Sequence, residues 1–437
     1  MGRTYEAASA PVASAGQRAL APDLARGWML LLIAIANVSA YLWGSTELLY
    51  TVHPTDGSVL DRVLSAIAIV FVDARVYPMF AFLFGYGMVQ FARSREARGV
   101  PERAVRGMFL RRHLWLLVFG FVHALLLFAG DILGAYGLTG LALTAALFWR
   151  PNRALKITVW VLLGLFACGA VMMMGVMLLL AALVPLGSQE LVTTDAWGST
   201  ADLLNGIASY GWAMLVRAGV WLLMTPATVL SLLVPACVLL GWIAGRHRWL
   251  EGGVTRFGLG AVAGWGILIG SLAAVPTALS YLGLLPVAEP VVWGWTLFAQ
   301  LGGVAGGIGY AALFGWAAVR LRSGPVVRAV AAVGKRSLSS YLLQSVIFAP
   351  LLAAWGFGLG ARINTAAAFG IAAGTWLLSL LMAVLLERRG ARGPAEVLLR
   401  RLTYSRLDAQ PGPDRRSRDP RGSARAVAAR PPADTTR

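Results

Sequence analysis

The chain has 437 residues, 58% of them apolar and only 13% charged, with a mean hydropathy of +0.69 and a formal net charge of +18. Soluble domains carry about 25% charged residues, so this composition excludes a soluble globular protein. It equally excludes disorder for the bulk of the chain.

Residues 1–20 are Ala- and Ser-rich, lack the apolar core of a signal peptide, and are expected to form a disordered tail. A bilayer core of ~30 Å takes about 20 apolar residues per spanning helix. Ten stretches meet or approach that length: 27–44, 77–92, 113–130, 131–148, 156–184, 226–245, 257–275, 295–319, 337–357 and 365–386. The fold class is therefore all-α, a polytopic transmembrane bundle of about ten spans forming one domain over 21–386. The four loops 93–112, 149–156, 246–256 and 320–336 hold eighteen basic residues. The alternate loops 45–61, 185–212, 276–290 and 358–364 hold only Arg362. By the positive-inside rule this predicts both termini in the cytoplasm and an even number of crossings.

That parity decides two doubtful segments. Residues 205–224 are apolar enough to span, but an odd crossing would invert every later loop. They are read as a re-entrant or interfacial helix on the outer side, interrupted by Arg217. Residues 60–72 are read the same way, as a short segment on the outer leaflet. At the C-terminus, 387–404 has apolar and basic residues at helical spacing and reads as an amphipathic helix on the inner surface. Residues 405–437 are Pro/Arg/Asp-rich and expected to be a disordered basic tail. The +18 is thus a topology signal laid against acidic inner-leaflet lipids. It is no nucleic-acid footprint.

Polar groups inside hydrocarbon cost at least ~2.5–3.5 kcal/mol when charged, so they mark candidate sites. Asp23 and Arg26 open the first span, as a helix cap and a snorkelling cation or as part of an anion site. Asn37 lies deeper on that span, as an interhelical hydrogen bonder or a substrate contact. Asp73 and Arg75 precede Pro78, as a local ion pair or the wall of a polar cavity. His123 and Asp131 are eight residues apart and so near one helix face. They read as a base and its orienting carboxylate, or as a buried histidine bonded to a neighbouring helix. His53 reads as a solvated loop residue, and His113 and His247 as surface residues among arginines. Gln300 and the run Gly302–Tyr310 read as tight helix packing, not a phosphate loop. Lys335, Arg336 and Gln344 make the most polar span entrance, facing lipid headgroups or a cytosolic anion. Arg111 and Arg112 sit at the same side. Cys168 and Cys237 read as buried free thiols, and no cluster points to a metal.

The strings DLARG (23–27) with Asn37, ARVYPMFAFLFGYGMVQ (74–90), the arginine pair at 111–112, GFVHALLLFAGDILGAYGLTG (120–140), GKRSLSSYLLQS (334–345) and GPAEVLLRRLTY (393–404) together resemble the YeiB-like family of uncharacterised bacterial inner-membrane proteins. That family is distantly similar to membrane acyltransferases of the acyltransferase-3 and heparan-glucosaminide acetyltransferase types. The resemblance implies a bacterial plasma-membrane protein that moves an acyl group from a cytosolic donor such as acyl-coenzyme A to an envelope acceptor. Those relatives share the opening matched by Asp23, Arg26 and Gly27. The heparan-type relatives also carry a histidine in the first outer loop, where this chain has His53 with different flanking residues.

On this reading His123 is the base and Asp131 orients it. Arg26, Arg111, Arg112, Lys335 and Arg336 hold the anionic donor, and Asp73 and Arg75 contact the acceptor, with Asn37 and Gln344 as further contacts. Two other classes stay open. One is a proton- or ion-coupled transporter using the same buried groups, although no inverted repeat is evident. The other is a non-catalytic membrane partner.

Overall fold

The computed structural model describes residues 20–48, 50–183, 200–320 and 324–404; the two expected tails lie almost wholly outside the described residues. The described chain is helical, with a single isolated β-bridge between Glu47 and Pro54. Its helices are α1 (Leu20–Val38), α2 (Val59–Phe71), α3 (Val76–Glu96), α4 (Glu102–Leu126), α5 (Leu133–Ala146), α6 (Asn152–Leu183), α7 (Thr200–Asn205), α8 (Tyr210–Leu230), α9 (Leu233–Arg246), α10 (Arg256–Tyr281), α11 (Glu289–Arg320), α12 (Pro325–Lys335), α13 (Ser337–Leu352), α14 (Thr365–Arg388) and α15 (Pro394–Thr403). Among the described residues, eight helical segments are long and apolar enough to cross a membrane, and α5 and α13 are shorter apolar helices. Large apolar side chains on α6, α8, α10 and α14 stay exposed, as bilayer-facing surfaces require. The molecule is a polytopic, all-α membrane protein.

The bundle has two ends. One carries the arginine-rich connections after α3, α5, α9 and α11. The other carries the loops after α1, α4 and α10. The segment 205–224 differs from expectation. Its residues from Tyr210 onward lie within an unbroken helix, α8, and Arg217 does not interrupt it. Instead Arg217 is fully buried and donates to the carbonyls of Leu125 and Leu126 at the C-terminus of α4. The Tyr210 and Trp355 rings cover it on two sides. Orphan helix-terminal carbonyls and aromatic faces are what a guanidinium needs in place of water.

The expected span 226–245 is correspondingly divided. The helix breaks at Ser231 and Leu232, the latter at φ 70°, and restarts as α9. Tyr210 at the start of α8 bonds Leu126 at the α4–α5 turn. Arg246 at the end of α9 bonds the Phe148 and Arg150 carbonyls beyond α5. The two helices together therefore run from one end of the bundle to the other.

α2 is short, as expected for 60–72. A capping box between Ser58 and Asp61 starts it. Asp61 also accepts from Ala366 N and Asn364, which ties α2 to the start of α14. α12 was not anticipated. It is an amphipathic helix whose buried face packs on α1, where Gly27 meets Val330 and Gly334 meets the Asp23 carbonyl so closely that any side chain would collide. The glycine of the DLARG string is therefore a packing residue. The Gly-rich stretch of α11 packs in the same way against the α2–α3 corner at Ala74, Arg75 and Pro78. Cys237 is buried, but Cys168 is exposed on the outer face of α6, contrary to expectation.

Candidate functional site

His123 lies in the last turn of α4, and Asp131 in the turn that leads to α5. Their side chains meet, with His123 Nδ1 2.8 Å from Asp131 Oδ1. The other carboxylate oxygen accepts from Gly134 N at 2.7 Å, one of the unsatisfied amides at the start of α5. Trp221 of α8 points its indole N–H at the same oxygen from 3.5 Å. Gly120 leaves room for this carboxylate, since a Cβ there would strike it. Both side chains are almost wholly buried. Nε2 of His123 is buried without a protein partner. The Tyr341 ring of α13 lies 5.2 Å from the imidazole.

Tyr341 is also a wall of a cavity of about 230 Å³ that extends to the basic end of the bundle. Arg26, Arg112 and Lys335 line it, with Gln90, Ser337 and Glu396, while Leu133, Tyr136 and Tyr341 close its inner part. Arg26 is positioned by the Leu83 carbonyl at 3.0 Å and by Asp23 at 3.4 Å. Lys335 is held by Glu387 at 2.6 Å. Three of the expected anion-binding residues thus share one wall with the aromatic ring that touches His123.

The other expected residues lie elsewhere. Arg111 donates to the Thr403 carbonyl of α15, and Arg336 to Glu387 and the Ala332 and Ala391 carbonyls. Gln344 bonds the Leu30 carbonyl, and Asn37 is half-buried on α1 outside the cavity wall. Asp73 and Arg75 do not form the anticipated carboxylate–guanidinium pair. Ala74 between them takes φ 56° and turns the chain. Arg75 is buried and spends its donors on the Ile69, Asp73 and Gly270 carbonyls. Asp73 instead meets His53 Nε2 at 2.7 Å.

Two histidines are buried that the sequence reading left in water. His53 is fully enclosed near Tyr281 and Phe369. His113 is fully enclosed against Phe84, Phe109 and Gly140. His247 is exposed beside Asn152. No local signal marks the first two, because their neighbours come from distant helices. Glu396 was also missed as a site residue. Its only signal was its place in the string GPAEVLLRRLTY.

Beside His53, Glu47 is buried in the loop after α1. Burial, helped by Asp202 and opposed by His53, raises its carboxyl from 4.5 to about 7. An unfolded chain then holds fewer protons than the folded one between these values, so stability falls as pH rises through that window. Thermal unfolding in detergent is expected to give a higher midpoint at pH 5 than at pH 8. Glu47→Gln is expected to flatten the dependence; an unchanged slope in that variant would exclude Glu47 as its source.

Fold and site together define a polytopic helical membrane protein with a basic cavity at one end and a buried His–Asp couple behind it. Comparison with known proteins shows what the chain is similar to. Residues 244–406 match the family described as a protein of unknown function, DUF418. The chain is 27% identical over 414 residues to the uncharacterized protein YeiB of Escherichia coli (strain K12), covering 89% of this chain and 96% of that one. It is 26% identical over 352 residues to the uncharacterized protein YxaH of Bacillus subtilis (strain 168), covering 76% and 80%. A third relative, an uncharacterized 39.9 kDa protein of Bacillus acidopullulyticus, is 34% identical over 144 residues, 33% of this chain and 38% of its own. The chain is thus similar to YeiB and YxaH over most of its length, as its sequence strings indicated. None of these descriptions carries an activity or a link to acyltransferases.

Proposed function

We propose that this protein is an acyltransferase of the bacterial plasma membrane, taking an acyl group from a cytosolic acyl-coenzyme A and passing it to a hydroxyl or amine of an envelope molecule. The observation that carries the reading is the contact of Tyr341 with both the cation-lined cavity and the imidazole of His123. An anionic donor is attracted by Arg26, Arg112 and Lys335, and the apolar inner wall suits its acyl arm. Asp131 accepts the Nδ1 proton of His123, which leaves Nε2 as the basic nitrogen. That nitrogen takes the proton of the acceptor as the acceptor attacks the thioester carbonyl. The proton then passes to the departing thiolate, so protons and charge balance. The basic end faces the cytoplasm in this reading, as the loop charges argue.

Purified protein in detergent is expected to hydrolyse acetyl-coenzyme A slowly. His123→Ala should abolish the hydrolysis in a protein that still folds. Equal rates in the two proteins would overturn the mechanism. Proton-coupled transport is the second reading. What favours it is a second couple, the buried His53 with the half-buried Asp73, at the same end of the bundle as His123 and Asp131. Proton-driven solute uptake by proteoliposomes, lost in His53→Ala, would select it.

A further inference from the structure

The cavity mouth carries an acid among its cations. Glu396 projects from α15 and places one carboxylate oxygen 2.8 Å from Leu338 N and 3.1 Å from Ser339 N. The other accepts from Ser339 Oγ at 2.5 Å. The two amides belong to the first turn of the 16-residue α13, where backbone N–H groups have no helical partner and the helix dipole favours an anion. Glu396 does nothing comparable for its own helix, whose Ala395 N donates instead to Ser339 Oγ at 3.0 Å. Gly393 is required here by close approach, because a Cβ would collide with both the Glu396 carboxylate and Ser339 Oγ.

The rest of α15 is arranged like a cover. It buries Leu399 and Thr403, and Arg95 lies over the Tyr404 ring at 4.7 Å. Arg111 holds the Thr403 carbonyl. The connection from α14 is short, and Gly390 in it takes φ 62°. Beneath α15 the cavity holds about 230 Å³. Pockets that take drug-sized ligands hold roughly 300–1,000 Å³, so a coenzyme-sized molecule does not fit while α15 is in place.

We infer that Glu396 is a resident stand-in for the phosphate of an anionic ligand, and that α15 is the lid this ligand displaces. The Leu338 and Ser339 amides, Ser339 Oγ, Lys335 and Arg112 then receive a phosphoryl group in exchange for the carboxylate. The inference rests on the donor reading above for the soluble ligand; a lipid headgroup offers the same phosphate chemistry from the bilayer.

The test uses the full chain in phosphatidylcholine nanodiscs, with coenzyme A and inorganic pyrophosphate as probes. Glu396→Gln removes the competing charge and is expected to bind coenzyme A about tenfold more tightly by calorimetry. Gly393→Ala, which dislodges α15 while keeping the acid, should shift affinity in the same direction. In the parent protein, coenzyme A should speed hydrogen exchange of amides 394–403. A Glu396-dependent gain for pyrophosphate alone would keep the lid and remove the coenzyme A donor. Faster exchange caused only by phosphatidylglycerol in the discs would keep the lid and assign the phosphate to a lipid. The inference fails if neither variant strengthens the response to any of coenzyme A, pyrophosphate and phosphatidylglycerol, or if none of the three binds or moves α15.

Discussion

Asp131→Asn is expected to leave a folded protein and to lower acetyl-coenzyme A turnover by about 10⁴-fold, the size of effect seen when the carboxylate of a catalytic triad is made an amide. The asparagine oxygen can still accept from Gly134 N, which preserves the start of α5. Its NH₂ then faces His123 Nδ1 as a donor, so the imidazole proton moves to Nε2. The buried nitrogen that served as base becomes a donor with nothing to accept from it. Asp131→Ala differs in kind. It strips Gly134 N and His123 of their partner in a buried site, and is expected to cost about 2–4 kcal/mol of stability. The pair of variants separates chemistry from folding. A comparable turnover for Asp131→Asn and the parent would remove Asp131 from the mechanism, whatever Asp131→Ala does to the melting curve.

Arg217→Ala is the second large effect, and it acts on stability. The guanidinium meets the Leu125 and Leu126 carbonyls and sits between the Tyr210 and Trp355 rings. Truncation leaves those carbonyls unsatisfied and a void between two aromatic side chains. Hydrogen bonds to charged groups contribute about 1.5–3 kcal/mol, and the emptied space adds to the loss. A loss of about 2–4 kcal/mol is expected, read as a lower melting midpoint in nanodiscs. Trp221 is four residues along the same face of α8 and reaches Asp131. Loosening α8 should therefore also lower turnover in Arg217→Ala, by less than Asp131→Asn does. An Arg217→Lys variant tests the geometry. A single ammonium cannot serve both carbonyls and both rings, so only part of the stability should return. A full return would show that charge alone suffices.

Much of the fold was legible because its causes are local. A run of apolar residues long enough to span is visible wherever it occurs, and alternate loops declare their end through arginine content. The pairing of His123 with Asp131 also has a local cause, though not the shared helix face expected from a spacing of eight: α4 ends at Leu126, and the short turn after it brings Asp131 back to His123. Arg26, Arg112 and Lys335 share a wall for a weaker reason, that each lies toward the basic end of its helix. The glycines of DLARG and GPAE stood out as strings, but the strings did not reveal that both admit a neighbouring backbone or side chain.

The remainder depended on contacts between distant parts of the chain. His53 looked solvated because its loop is polar, yet α2, α10 and α14 close over it and bring Asp73 to its ring. Arg217 looked like a helix breaker because its partners, the last carbonyls of α4, are about ninety residues away in sequence. Glu396 looked like one charge on an amphipathic surface helix until α13 presented its free amides. Sequence by itself determined the solvent of this protein, the lengths of its helices and the sense of its loops, since hydrophobicity and charge act on each segment independently. Only the tertiary structure decided which buried polar groups meet. In hydrocarbon each must find a partner, and the choice of partner is a property of packed helices.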